Sequence, residues 1–367
     1  MKMLLQPVRC VALCVIMLCS GLAQAVVVDD LFVATAAVEN RSSEARDAGV
    51  ALALQDVIVR VSGSEEYLQR PEIQRALKNS NVYLQEYQYV TGENDETLLS
   101  ARFSQSAIER MFASAVIPVW PENRPRVFVA LVSRSFPEGV QLVLNTPSDT
   151  DNSVHSLAYS AIIESADNRA IPITTPLLDL EDQLSMDADG LWGLQENAID
   201  AAAARYSPDA ILIGKLSQTS SGRWLIGWWF RHNAQFDIFE SDSADLNTAL
   251  DQGLATTAKF LAKTYAITSS SQTSGLNVRL SGIEEFLDYY HAVDYLSQLA
   301  VVESAQVTRI NGLDIDLTLV LNGELSAFED TLALDKKMER VQVLGTPGDQ
   351  FGGSASPLPL RWLGQQP

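Results

Sequence analysis

Five carboxylates, Asp179, Glu181, Asp182, Asp187 and Asp189, fall within one short stretch of the chain. Carboxylates spaced two apart can converge on a hard cation such as Ca²⁺. Gly190, however, follows Asp189 directly, too early for an EF-hand loop, and no distal ligand set matches. Two facing carboxylates also supply the acid and the base or nucleophile of a glycosidase, but their separation is not a sequence property. The third reading, a helix cap followed by a solvated loop, is the one the spacing favours.

Other reactive types are sparse. His155, His232 and His291 are the three histidines, and none has a second ligand type at metal spacing. HExxH and cysteine-based metal patterns are absent, so solvated or capping histidines are expected. There is no GxGxxG or P-loop pattern to cradle a phosphate. Gly352-Gly353-Ser354-Ala355-Ser356 is the nearest approach to a nucleophile elbow. It lacks the closing glycine and does not join a buried strand to a helix. No catalytic residue, cofactor or metal is expected.

Trp224, Trp228 and Phe230 fall on one face of a predicted strand, and Leu225, Gly227 and Trp229 on the other. With both faces apolar, at least one set packs under helices. The other is a candidate partner or ligand platform, because tryptophan is enriched in interface hot spots. Core packing is the favoured reading for this strand. Trp120 and Trp362 lie in predicted connections and are candidates for contact surfaces.

The elements that must position these residues begin after a leader. Lys2 and Arg9 precede an apolar stretch, Cys10 to Leu18, and Ala23-Gln24-Ala25 closes it. This is the pattern of a secretory signal peptide over residues 1–25, cut after Ala25. Leu18 before Cys19 is too large for a lipoprotein site. Cutting after Ala25 removes Cys10, Cys14 and Cys19, the only cysteines. The exported chain then has no disulfide or thiolate, and its stability must come from a packed core. The formal net charge is −20, and loss of Lys2 and Arg9 makes the balance still more negative. That speaks against a nucleic-acid partner, which would want a basic face, and disfavours anionic lipid. No later apolar run approaches the ~20 residues of a membrane span, so no insertion is expected after leader removal.

The remainder reads as three α/β units, α+β in overall class. An N-terminal α+β domain is expected over 26–120. Val50, Leu54, Val57, Ile58 and Val61 share one helix face, with Gly63 as the stop. Ser106 and Glu109 suggest a capping box before the buried set Ile108, Met111, Phe112 and Ala115. A middle domain over 121–268 has the order β-α-β-α-β-β-β-α, implying a mixed sheet covered by helices. Its run Val127 to Val132 reads as a strand buried on both faces. A C-terminal β-α-β-β-α module is expected over 276–344. There Phe286, Tyr290, Val293 and Leu296 share a predicted buried helix face, and Asn311-Gly312 marks a hairpin. Residues 345–367, rich in Gly, Ser and Pro, read as a mobile tail in which Leu360, Trp362 and Leu363 could dock.

Two stretches carry a family resemblance. One runs from Ala45-Arg46-Asp47-Ala48 through Val57-Ile58-Val59-Arg60-Val61-Ser62-Gly63. The other is Pro176-Leu177-Leu178-Asp179-Leu180-Glu181-Asp182 with Leu191-Trp192-Gly193, Ile211 to Leu216 and Gly222-Arg223-Trp224. Both resemble the proteobacterial exported family known as domain of unknown function 2066, over nearly the whole exported chain. The resemblance implies an envelope location and carries no catalytic residue. The middle region's element order is also similar to the amino-terminal domain of the translocation protein TolB, a periplasmic assembly module.

The functional expectation is a non-catalytic periplasmic scaffold or accessory that binds another envelope protein. The alternatives are a carboxylate-dependent hydrolase of an envelope polymer, using the acidic stretch, and a small-ligand binder using the tryptophan face. The sequence does not fix the oligomeric state.

Overall fold

Hydrophobic spacing dictates the first unit. A computed structural model describes residues 26–28, 30–92, 95–135, 139–143, 153–233, 235–268, 275–341 and 357–364. The leader and the Gly352–Ser356 stretch lie outside them. The unit comprises β1 (Val26–Val27), β2 (Val33–Ala37), α1 (Ser43–Ser62), α2 (Pro71–Lys78), β3 (Leu84–Thr91), β4 (Thr97–Phe103) and α3 (Gln105–Ala115). β4 is the centre of an antiparallel sheet, β2-β4-β3. The Ser42 hydroxyl accepts from the Ala45 N–H to start α1, and Gly63 ends it with φ of 73°. Val50, Leu54, Val57, Ile58 and Val61 are fully buried between α1 and its neighbours. The cap of α3 is Ser104 rather than Ser106. Glu109 is held by the Gln105 side chain, which donates to it at 2.9 Å, so the expected capping box does not form.

After β5 (Asn123–Arg124), which pairs with β1, the middle unit opens with β6 (Val127–Ser135) and β7 (Gly139–Leu142). It continues through α4 (Val154–Arg169), β8 (Ile173–Thr174), α5 (Leu180–Ser185), α6 (Ala188–Trp192) and α7 (Glu196–Ala204). It closes with β9 (Ala210–Gln218), β10 (Trp224–His232), β11 (Gln235–Ser243) and α8 (Leu246–Tyr265). The mixed sheet runs β11-β10-β9-β6-β7, with β8 on the end of β6. β6 and β9 are parallel, whereas β9, β10 and β11 form an antiparallel meander. Val127 to Val132 are fully buried, because α4 and α8 cover one face of the sheet and α6 and α7 the other.

The third unit comprises β12 (Gly275–Ser281), α9 (Phe286–Gln298), β13 (Val302–Asn311), β14 (Asp314–Leu321), α10 (Leu325–Asp335), β15 (Met338–Arg340) and β16 (Leu358–Trp362). The expected hairpin pairs Asn311 with Asp314, and Gly312 adopts φ of 64°. Two expectations are corrected. Part of the presumed mobile tail is a strand: β16 inserts between β12 and β15 and buries Leu358, Leu360 and Trp362. Their alternation is a half-buried strand pattern, hidden by the surrounding Gly, Ser and Pro. In α9 the buried residues are Ala292, Tyr295 and Leu296, whereas Phe286 and Tyr290 are exposed. The helix is rolled so that Tyr295 reaches Trp362, at 6.0 Å between centroids.

The segment Val119–Arg124 joins the three units. Val119 and Ile267 exchange backbone bonds of 2.9 and 2.8 Å. The Trp120 N–H donates to the Val61 carbonyl at 2.7 Å. Asn123 donates to Asp335, which also accepts from the Tyr295 hydroxyl at 2.6 Å. Arg124 is fully buried. Its guanidinium stacks on the Trp120 ring at 3.9 Å. It donates to the carbonyls of Pro121 (3.0 Å), Arg169 (2.8 Å), Ala170 (3.0 Å), Arg60 (2.7 Å) and Trp120 (3.2 Å). Nearby, Arg169 binds Asp251 of α8 and reaches Glu65 of the first unit at 2.8 Å.

Gly63 is pinned at this junction. A β-carbon there would stand 2.3 Å from the Ala262 β-carbon and 3.1 Å from the Trp120 ring. Gly222 has a similar φ, 81°, but open space around it. Both Gly→Ala changes incur backbone strain of ~1–3 kcal/mol; only Gly63→Ala adds overpacking of a further ~1–3 kcal/mol. Urea denaturation of the two variants should show Gly63→Ala to be clearly the less stable. Equal losses would mean that the junction has room to relax.

Candidate functional site

The acidic stretch folds around one arginine. Asp179 caps α5, accepting from the N–H groups of Glu181 and Asp182 at 3.1 Å each. Arg205, just after α7, grips Asp179 through two bonds of 2.7 and 2.8 Å and reaches Asp182 at 3.2 Å. Its Nε lies 3.6 Å from Glu181. Asp182 is fully buried. It also accepts from the Tyr206 hydroxyl at 2.6 Å and the Leu178 N–H at 2.9 Å. Asp187 stands at the N-terminus of α6, with Asp189 in its first turn. The helix-capping reading describes Asp179, whereas Asp187 makes no side-chain cap bond and Asp182 is buried rather than solvated.

Electrostatics agree. The Arg205 hydrogen bonds, aided by the Asp182 N–H, pull the Asp179 carboxyl down to about 2. Burial, with the hydrogen bond to Asp182, pushes the Tyr206 phenol up to about 12. A general acid would need the opposite, a carboxyl held protonated near neutral pH. Among the described residues no group of three His, Cys, Asp or Glu side chains is placed to hold a metal ion. Beside these carboxylates in the chain, Leu177, Leu180 and Leu184 are all exposed.

The tryptophans divide differently from the expectation. Trp120 and Trp362 are buried, so neither presents a contact surface. Trp120 is fixed by the Arg124 stack, and Trp362 by its place on β16. Trp228 is buried against Gly253 of α8, and its Nε1 donates to the Ser241 hydroxyl of β11 at 2.8 Å. Trp224 is half-buried on the same face. Trp229, on the opposite face, is covered by α7 and its neighbours. Both faces of β10 therefore pack under helices near the sheet centre.

Towards β11 that cover ends. The register places Ile238 opposite Trp229 and Phe236 opposite Arg231. Phe236 and Ile238 are each 64% exposed. Phe236 stacks on Trp229 with centroids 6.5 Å apart. The buried apolar face of the sheet thus continues as an exposed one. The clue in the sequence is the alternation Phe236-Asp237-Ile238, but only the register shows which face it extends.

The histidines are dispersed. His232 is buried, with Nδ1 2.9 Å from the Asp209 carbonyl and Nε2 2.7 Å from the Tyr265 hydroxyl. Because a carbonyl only accepts, Nδ1 carries the proton and Nε2 accepts from Tyr265. His155 and His291 are half-buried on α4 and α9. A shallow hollow lined by Leu84, Gln85, Ser104, Gln105, Ser106 and Glu109 lies on the first unit, not beside the tryptophan strand.

These features define a three-unit α+β chain with an arginine-clamped acidic loop and an apolar sheet margin. Its C-terminal unit, residues 274–361, matches the family model DUF2066. Residues 25–121 match a model described as a domain of unknown function, DUF8605. The resemblance to DUF2066 thus holds for the C-terminal unit and includes β16. Of the two stretches that carry the resemblance, Ala45–Gly63 falls within the DUF8605 match and Pro176–Trp224 within neither. No curated protein matches the chain.

The clamp predicts a pH dependence. A carboxyl depressed to about 2 contributes stability that is fully present above its unfolded value of about 3.9 and is lost as pH falls towards 2. Arg205→Gln should return Asp179 towards about 3.9 and flatten this part of the acid profile. Carboxyl-carbon NMR titration would show it. An Asp179 midpoint that does not move would mean that the ion pair is not formed in solution.

Proposed function

We propose that the chain is an exported, non-catalytic scaffold or accessory of the periplasm that binds another envelope protein. The observation that carries this reading is the exposed continuation of a buried sheet face at Phe236 and Ile238. Large apolar side chains held adjacent to one another on a regular strand, beside a packed tryptophan, have the make-up of an interface core. The leader pattern supports export. Among the described residues no helix is long and apolar enough to cross a membrane. Of the acidic-loop carboxylates that a hydrolase would use, Asp179 and Asp182 are engaged by Arg205, Tyr206 and backbone N–H groups.

In-cell crosslinking of the tagged protein, with mass spectrometry of co-purifying chains, tests the proposal. A recurrent envelope partner is expected, lost in a Phe236→Asp, Ile238→Asp double variant that retains wild-type stability. Trp120→Ala and Trp362→Ala are unsuitable probes, because both would cut into the core. Failure to capture any partner, under conditions that capture known envelope complexes, would count against this function.

A further inference from the structure

We propose that β11 is a strand-addition site for a basic, extended segment of the partner; this rests on the protein-binding reading and names its surface. β11 is the last strand of its sheet, and among the described residues no strand pairs with its outer edge. In an antiparallel pair every second residue turns its N–H and C=O away from its neighbour. β11 therefore offers a row of such groups along nine residues that pair with β10 without a bulge. Natural sheets blunt exposed edges with charged side chains, lysine above all, with proline, with bulges or by keeping the strand very short; the carboxylates of β11 oppose pairing with an acidic strand but not with a basic one. β11, Gln-Phe-Asp-Ile-Phe-Glu-Ser-Asp-Ser, has no lysine or proline and is long, and it carries exposed Phe236 and Ile238.

The charges select the occupant. Asp237, Glu240 and Asp242 are exposed on the strand. Arg223 engages Asp242, whereas Asp237 and Glu240 make no hydrogen bond or ion pair among the described residues. A second copy of the chain would set acid against acid, in a molecule whose formal charge is −20. Like charges directly opposite one another across strands are destabilising, and opposite charges are favourable. The fitting segment places two apolar side chains beside Phe236 and Ile238, with Lys or Arg against Asp237 and Glu240. This is β-augmentation, in which main-chain bonds supply affinity and alternate side chains supply specificity.

The probe is the peptide Thr-Thr-Lys-Thr-Val-Lys-Val, which in antiparallel register sets Lys against Glu240 and Asp237 and Val against Ile238 and Phe236. Its binding to the purified protein should slow hydrogen exchange across 235–243. Asp237→Lys with Glu240→Lys should weaken it about tenfold, and N-methylation of alternate peptide amides should abolish it. The proposal is overturned if the peptide does not bind, if it binds without protecting β11, or if the N-methylated form binds equally well. A dimer that protects β11 without peptide would assign the edge to a second copy instead. Partner crosslinks that map to Leu180 and Leu184 rather than β11 would overturn strand addition and leave the protein-binding function standing. Absence of any partner would remove both.

Discussion

A fully buried cation holds the molecule's parts in register. Arg124 is sealed from solvent, and its five hydrogen bonds run to backbone carbonyls rather than to a carboxylate. Burial, reinforced by the charge of Arg60, pushes its pKa down to about 9, which leaves it protonated at neutral pH. Two compensations make that charge tolerable. Three of the carbonyls belong to the last turns of α1 and α4, where helices present orphan acceptors and the negative end of the dipole. The guanidinium also lies flat on Trp120, a desolvated cation–π contact. The planar fork of arginine can serve so many acceptors at once, which lysine's point charge cannot.

Everything else at the centre leans on that arrangement. The C-termini of a first-unit helix and a middle-unit helix converge on one side chain. The same short segment reaches the third unit through Asn123 and Asp335, whose carboxyl is pushed up by burial. Arg205 repeats the device near the surface, gathering Asp179 and Asp182 so that the acidic loop forms short helices instead of a splayed coil. Both arginines turn groups that would otherwise repel or go unsatisfied into fixed structure. The reactive-looking carboxylates are thereby drawn into architecture. On the proposed reading, recognition falls to the apolar sheet margin at Phe236 and Ile238.

Periodic features were legible in the sequence. α1 declared its buried face through Val50, Leu54, Val57, Ile58 and Val61, and β6 through its unbroken apolar run. The Asn311-Gly312 hairpin followed from turn chemistry. Features that depend on distant partners were not. Nothing near Arg124, set between Pro121 and Pro125, signals that carbonyls from two helices will converge on it. β16 is short and set among Gly, Ser and Pro, so its alternation carries little weight until β12 and β15 flank it. The roll of α9 is decided by Trp362, a residue far along the chain. Trp120 illustrates the same limit: a connection by sequence pattern is a core position once three units close around it.

The most direct test of this account is calorimetry of the protein and of Arg124→Met, which keeps the volume of the stem but removes the donors. The account predicts one cooperative transition for the native chain. For the variant it predicts a large drop in midpoint, with separation into more than one transition as the units uncouple. A variant that unfolds in a single transition at the native temperature would contradict it. In that case the three units would be held together by apolar packing and the other junction bonds, without need of Arg124.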